Sequence, residues 1–182
     1  GLIVGASLAV SGVVFQSLLR NPLADPYLLG ISSGSALGAS ITILIGMPFY
    51  FLRLPLIPLS AFLGGLLSIL LVYGLAKTKG KIPIHTLLLS GIVVNFAFSA
   101  IMMLLITISN KGLTEVIFWM MGSLNNTNYD LIPIILINAV VIIIVLYFFS
   151  NDLNVISLGE ETAIYLGIEI EKIKKIMFVL TS

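Results

Sequence analysis

The chain has 182 residues, 59% of them hydrophobic and only 9% charged, with a mean hydropathy of +1.17, whereas a soluble domain carries roughly 25% charged residues. That composition identifies an integral membrane protein, and a net charge of +1 leaves no basic surface for nucleic acid. The absence of cysteine excludes disulfide, zinc-thiolate and thiol chemistry.

Crossing about 30 Å of hydrocarbon takes roughly 20 residues of helix. Five apolar runs bounded by charge, Pro or Asn meet that length: Leu2 to Leu19, Leu28 to Gly46, Leu56 to Ala76, Ile84 to Ile108 and Leu131 to Phe149. A sixth begins near Ile173. The runs lack the strict polar/apolar alternation of a barrel strand, and lipid leaves no partner for loose backbone groups, so helices are expected. The expected fold is an all-α polytopic membrane helix bundle, one domain over residues 1–182 with an extramembrane segment at 150–175. Gly1 stands inside an apolar run and Ser182 a few residues into another, so an internal fragment of a longer polypeptide is expected.

The first run carries Gly1, Gly5 and Ala9, and the second carries Gly30, Gly34 and Gly38, each at four-residue spacing. Such stripes let another backbone approach closely. Ordinary helix packing accounts for them, and packing around the first run would also make it a lipid-shielded strut. Between these runs lies Arg20-Asn-Pro-Leu-Ala-Asp-Pro-Tyr-Leu-Leu-Gly-Ile-Ser-Ser-Gly-Ser35. Pro22 denies Asn21 helical backbone space and ends the first run, while Asp25 is placed to cap a helix beginning at Pro26.

The run Ile84 to Ile108 holds Ser90, Asn95, Ser99 and Thr107, with Met102 and Met103 in its outer half. At about 100° per residue, Ser90, Asn95, Ser99 and Met102 spread over one broad face. Polar groups at such depth turn toward protein or water, which leaves helix-to-helix hydrogen bonds and the lining of a path as alternatives. His85, at the start of this run, reads as an interfacial cap, since no acidic or cysteine companion suggests a metal. Trp119 and Tyr129 fit an aromatic belt. Phe118 to Gly122 is a candidate short helix, and Arg53 and Lys111 belong to no motif.

The segment Leu153-Asn-Val-Ile-Ser-Leu-Gly-Glu-Glu-Thr-Ala-Ile-Tyr-Leu-Gly167 is the second dense motif. Ser157 and Glu160 have capping-box spacing, Glu160 and Glu161 suit a helix N-terminus, and Gly167 suits a left-handed stop. The predicted helix, Leu158 to Leu166, reaches about 13 Å and is too short to span. A second piece starts at Glu169 and carries Lys172, Lys174 and Lys175. Together they form an extramembrane helical hairpin.

The long string from Arg20, the Leu-Gly-Glu-Glu-x-Ala-x-x-Leu-Gly pattern, Leu87-Leu-Leu-Ser-Gly-Ile-Val-Val-Asn95 and Phe118-Trp-Met-Met-Gly-Ser123 resemble the permease subunits of ATP-driven importers for iron siderophores, haem and vitamin B12. The resemblance covers essentially the whole chain. It implies ten helices in the full subunit, with this chain holding roughly the second to the start of the seventh. It implies a cytoplasmic gate at Asn21, Pro22 and Leu23, and a translocation path along Ser90, Asn95, Ser99 and Met102 at a homodimer axis. Ser157, Leu158, Gly159, Glu160 and Glu161, followed by Ala163, Leu166 and Gly167, become the coupling segment that seats in an ATPase groove. The implied partners are a second copy of the chain, two ATPase subunits in the cytoplasm, and an extracytoplasmic substrate-binding protein that docks near Phe118 to Gly122. The chain itself needs no cofactor, because ATP and magnesium are bound by the partner ATPase. The implied location is a bacterial or archaeal cell (inner) membrane.

Two other function classes are weighed against this one. The runs have no Asp, Glu, Lys or Arg at their centres, where ion-coupled carriers commonly keep one, so an ion-coupled secondary transporter is the alternative rather than the first reading. No catalytic set stands in the sequence: there is no Gly-x-Ser-x-Gly elbow, and no phosphate-binding glycine loop followed by Lys-Ser or Lys-Thr. An enzyme is therefore not expected.

Seven of the nine Lys and Arg residues fall on one side when the loops are numbered alternately, leaving Arg53 and Lys111 opposite; the positive-inside rule makes the richer side cytoplasmic. Single cysteines at Lys79 and Asp152 of the full-length protein are expected to be shielded from an impermeant thiol reagent in intact cells, and one at Lys111 to react. Labelling at Lys79 with protection at Lys111 would invert the topology.

Overall fold

A computed structural model describes residues 1–46, 50–51, 54–78, 82–109, 112–122 and 132–181. Arg53, Lys79, Lys81, Lys111 and Tyr129, which entered the readings of orientation and of the aromatic belt, lie outside the described residues. Almost all of what is described is helix: α1 (Leu2–Leu19), α2 (Ile31–Leu44), α3 (Leu56–Ala76), α4 (Ile84–Ile108), α5 (Leu113–Met121), α6 (Ile132–Phe148), α7 (Ser150–Leu158), α8 (Glu160–Tyr165) and α9 (Ile170–Thr181). A four-residue 3-10 turn, Pro26–Leu29, precedes α2. A minimal antiparallel ladder pairs β1 (Tyr50–Phe51) with β2 (Leu54–Pro55), with Tyr50 opposite Pro55. Three helices, α1, α3 and α4, are long and apolar enough to cross a membrane, and α6 with α7 forms a fourth candidate bent by 53°. The chain is a multi-pass membrane protein.

The helices gather into two compact units, one formed by Gly1–Pro26 with Leu124–Ser182 and the other by Tyr27–Ser123. In the second unit α2 packs along α3, and both meet α4. The stripe expected to allow close approach does so here. A Cβ built on Gly34 would stand 2.5 Å from the Gly64 carbonyl oxygen, and one on Gly38 would collide with the Ser60 carbonyl. Ser40 and Ser68 are fully buried beside these helix crossings. Ser40 returns its hydroxyl to the Ala36 carbonyl at 2.6 Å, while Ser68 donates across the helix pair to the Gly30 carbonyl at 2.7 Å. Among the described residues no buried side-chain N or O lacks a partner, as a medium without water requires.

Gly30 is where the three helices converge. Its φ of +73° starts α2 from a left-handed residue, and a Cβ there would meet Ser68, the Asn95 nitrogen and the Gly91 oxygen at 3.1 to 3.3 Å. This corrects the helix start expected at Pro26 under an Asp25 cap. Pro26 opens only the 3-10 turn, and α2 begins at Ile31 with Gly30 as its cap. Fourteen residues of α2 rise about 21 Å, so the helix is shorter than the apolar run Leu28 to Gly46.

In the first unit α1 is flanked by α6, α7 and α9. α9 places Ile170, Ile173 and Met177 inward at three- and four-residue steps, with Phe178 beside them, and the Phe178 ring meets Phe15 of α1 with centroids 5.7 Å apart. The other small-residue stripe meets no close partner among the described residues. Gly5 and Ala9 are exposed, and nothing lies within 4 Å of a Cβ on Gly5.

In an ordinary helix interior a glycine-to-alanine change stabilises by about 1 kcal/mol. Gly38→Ala is expected to do the reverse, because overpacking a close helix contact costs about 1–3 kcal/mol. The check is the melting temperature of the purified full-length protein, which should fall relative to the parent.

Candidate functional site

The loop at the end of α1 is built by its own backbone. Arg20 takes φ 48°, ψ 41° and is the one non-glycine residue with positive φ among the described residues. Its N–H donates to the Ser17 carbonyl and the Asn21 N–H donates to the Gln16 carbonyl, the paired bonds that close a helix on a left-handed residue. Left-handed geometry costs a non-glycine residue about 1–2 kcal/mol, and the two bonds hold it. Asn21 then accepts the Leu23 N–H on its side-chain oxygen at 2.9 Å, while its carbonyl accepts the Ala24 N–H at 3.0 Å. These bonds turn the chain back and leave Leu23 83% exposed, with Ala24 buried under it. Pro22 is exposed and Asn21 half-buried. A large apolar side chain is thus held outward on a turn with a defined backbone.

The coupling motif folds differently from its expected single helix. The chain leaves α6 through a 53° bend and continues as α7, which buries Leu153 and Ile156. Ser157 lies inside α7 and donates to the Asn154 carbonyl at 2.6 Å. It therefore does not cap α8, and the capping box expected between Ser157 and Glu160 is not formed. Gly159 holds the cap position instead, with φ 143° and no side-chain cap bond. The break falls there because only glycine adopts that backbone readily. α8 keeps Glu160 and Glu161 in its first turn and buries Ala163 completely. The left-handed stop expected at Gly167 is present, with φ +79°, and it is closed by Gly167 N–H to Ile164 and Ile168 N–H to Ala163. Leu158 (76%), Tyr165 (91%) and Leu166 are left exposed. α7 itself was signalled by the i, i+3 pair Leu153 and Ile156, which the capping-box spacing obscured.

Charge ties these pieces together. Lys174 of α9 is only 3% exposed, and its ammonium donates to Glu160 Oε1 at 2.8 Å and lies 3.6 Å from Glu171. A buried charge of this kind is tolerable only when paired. The same Glu160 Oε1 stands 3.8 Å from the guanidinium of Arg20. The loop carrying Asn21, Pro22 and Leu23 and the segment Ser157 to Gly167 thus share one carboxylate within a single unit.

The path candidates lie in the other unit, on α4. Ser90 is buried on the stripe Leu87, Ser90, Gly91, Val94 and Phe98 that faces α2 and α3. Asn95, Ser99 and Met102 follow one another at four- and three-residue steps along an adjoining half-buried strip. The broad face expected of all four divides accordingly. The cap position of α4 is taken by Pro83, and His85 is exposed in the first turn. The short helix expected at Phe118 to Gly122 is present but begins earlier, as α5, with Val116 fully buried and Phe118 exposed.

Residues 1–182 match the FecCD transport family. The chain is 35% identical over its whole length to the cobalamin import system permease protein BtuC of Halobacterium salinarum, of which it covers 48%. It is 37% identical to the hemin transport system permease protein HmuU of Yersinia pestis, of which it covers 54%, and 32% identical to the molybdate import system permease protein MolB of Haemophilus influenzae. The chain spans about half the length of these relatives. Among solved structures it is similar to an ABC transporter of metal-chelate type in an inward-facing conformation, with TM-score 0.88 and 32% identity over 99% of this chain and 56% of that one.

The open space around Gly159 isolates its backbone role, since a Cβ there would meet only Thr162 Oγ1, at 3.7 Å. Gly159→Ala is therefore expected to destabilise the α7–α8 junction by about 1–3 kcal/mol through backbone strain alone. Hydrogen exchange at the amides of 160–168 should quicken, while that of α3 and α4 stays as in the parent.

Proposed function

The chain belongs to the FecCD transport family, and on that premise we propose that it contributes to the translocation path in the permease subunit of an ATP-driven importer for an iron chelate, haem or cobalamin. The observation that carries this reading is the exposed surface of the segment Leu158 to Gly167. Leu158 at the end of α7, Ile164 and Tyr165 of α8 and Leu166 just after it are all exposed, as is Glu161 in the first turn of the six-residue α8, and a cluster of apolar side chains at such a place is suited to a protein partner. The partner is an ATPase subunit, with ATP and magnesium held there and no hydrolysis in this chain. Two copies of the permease work with two ATPases and one extracytoplasmic substrate-binding protein, in the cell membrane of a bacterium or archaeon.

Transport proceeds by alternating access. ATP-driven closure of the ATPases displaces α8, the displacement reaches the helices that carry the gate, and Asn21, Pro22 and Leu23 open or close the cytoplasmic end. The half-buried strip Asn95, Ser99 and Met102 offers an amide, a hydroxyl and a thioether without a fixed charge, which suits passage of a bulky chelate. Ser90 serves the packing that supports that strip. The relatives named for cobalamin, hemin and molybdate differ little in identity to this chain, so overall identity does not choose the cargo.

Glu161→Lys tests the reading, because it reverses an exposed charge in the first turn of α8, where acid is favoured by about 0.3–1 kcal/mol, and alters no span. The full-length protein should insert and dimerise as the parent does, yet lose copurifying ATPase or hydrolyse ATP without matching uptake in proteoliposomes. Full uptake without ATP under an imposed proton or sodium gradient, unchanged by the substitution, would establish an ion-coupled carrier instead.

A further inference from the structure

The carboxylate of Glu160 belongs to the first residue of α8, yet both cations it meets come from elsewhere in the fold. Lys174 reaches it from α9 at 2.8 Å, and Arg20 reaches it from the end of α1 at 3.8 Å. The three groups differ in how firmly they are held. Lys174 is buried and lies on a helix locked to α1 by the Phe15 and Phe178 rings. The Arg20 backbone is fixed by the two bonds that end α1, and Asn21 follows it directly. Glu160 stands on a six-residue helix bounded by Gly159 and Gly167, both at positive φ, so α8 is the element whose ends can swivel.

Resting on the reading above, we propose that Arg20 and Glu160 are positioning residues that transmit motion from the docking helix to the gate. Lys174 orients the Glu160 carboxylate, and the same oxygen holds the guanidinium one residue before Asn21. When α8 is displaced, that oxygen moves relative to Arg20, and the contact is either dragged along or broken. In the first case the turn Asn21–Ala24 follows; in the second it loses the restraint on the residue that precedes it. Either event reaches Leu23 through three peptide units. A role in stability alone does not account for the arrangement, because ion pairs as exposed as Arg20 with Glu160 add little to folding. Their value lies in geometry, since the contact joins residues 140 apart in sequence, Arg20 and Glu160.

The test uses the full-length complex with its ATPase subunits in lipid nanodiscs, with a spin label either at Leu23 or at Tyr165. Substitution is made on Arg20, because Arg20→Gln leaves buried Lys174 its carboxylate partners. In the parent both labels should change mobility on ATP binding. In Arg20→Gln the Tyr165 label should still respond while the Leu23 response is lost, and substrate taken up per ATP hydrolysed should fall about fivefold or more, the lower range of measured site-to-site couplings. Arg20→Lys, which keeps a cation within reach of Glu160, should restore both. A Leu23 response in Arg20→Gln equal to the parent's would overturn the relay and leave the docking assignment standing. A Tyr165 label insensitive to the ATPase in the parent itself would overturn the docking assignment, and the relay with it.

Discussion

Close backbone approach between α2 and α3 is the interaction on which the second unit depends. Lipid is as apolar as the side chains of these helices, so association between them gains little from the hydrophobic effect and relies on van der Waals packing and hydrogen bonds. Gly34, Gly38 and Gly64 remove the side chains that would hold the axes apart. The Ser68 hydroxyl then reaches the Gly30 carbonyl, a bond available only at that separation. Because Gly30 also abuts Gly91 and the Asn95 nitrogen, the same residue sets where α4 lies, and hence which of its polar groups stay half-open.

The first unit reaches specificity by another route. Its helices meet through larger side chains, as at Phe15 and Phe178, and the group that fixes their arrangement is a buried ammonium. Lys174 is only 3% exposed and is paired with Glu160 of α8 as well as with Glu171 of its own helix, and the break at Gly159 starts the short helix that presents Glu160. One buried charge therefore explains why a helix of six residues, too short to be stable by itself, keeps a defined position while exposing apolar side chains.

Legibility in the sequence followed from how local each determinant was. The bounds of α3 and α4 and the end of α1 were readable to the residue, because Pro, Lys, Arg or a Ser-Asn pair abuts an unbroken apolar run. The start of α2 was not, since Asp25 and Pro26 carry the local marks of a helix start, whereas Gly30 is made the cap by its approach to Ser68, Gly91 and Asn95, which are distant in sequence. The same competition decides the place of Ser157. Its spacing to Glu160 suits a capping box, but Leu153 and Ile156 are buried as part of α7, and that packing carries Ser157 inside the helix. The stop at Gly167 is legible because the bonds that close it join residues at most five apart. The ties from Glu160 to Arg20 and Lys174 were invisible for the opposite reason.

The distribution of strain fits a part that must move without unfolding. Arg20 stores backbone energy that glycine would avoid, at the residue before the candidate gate, while the hinge positions flanking α8 are glycines that avoid it. A left-handed arginine directs its side chain from a fixed point, whereas a glycine leaves direction free. The loop is thus the stiff partner and the short helix the compliant one, so a push delivered to α8 is absorbed at Gly159 and Gly167 until the Glu160 carboxylate draws on its two cations. Lys174, anchored in α9, resists. Arg20, whose side chain is partly exposed, holds the weaker of the two contacts, so the pull is passed to, or released from, the turn that follows it.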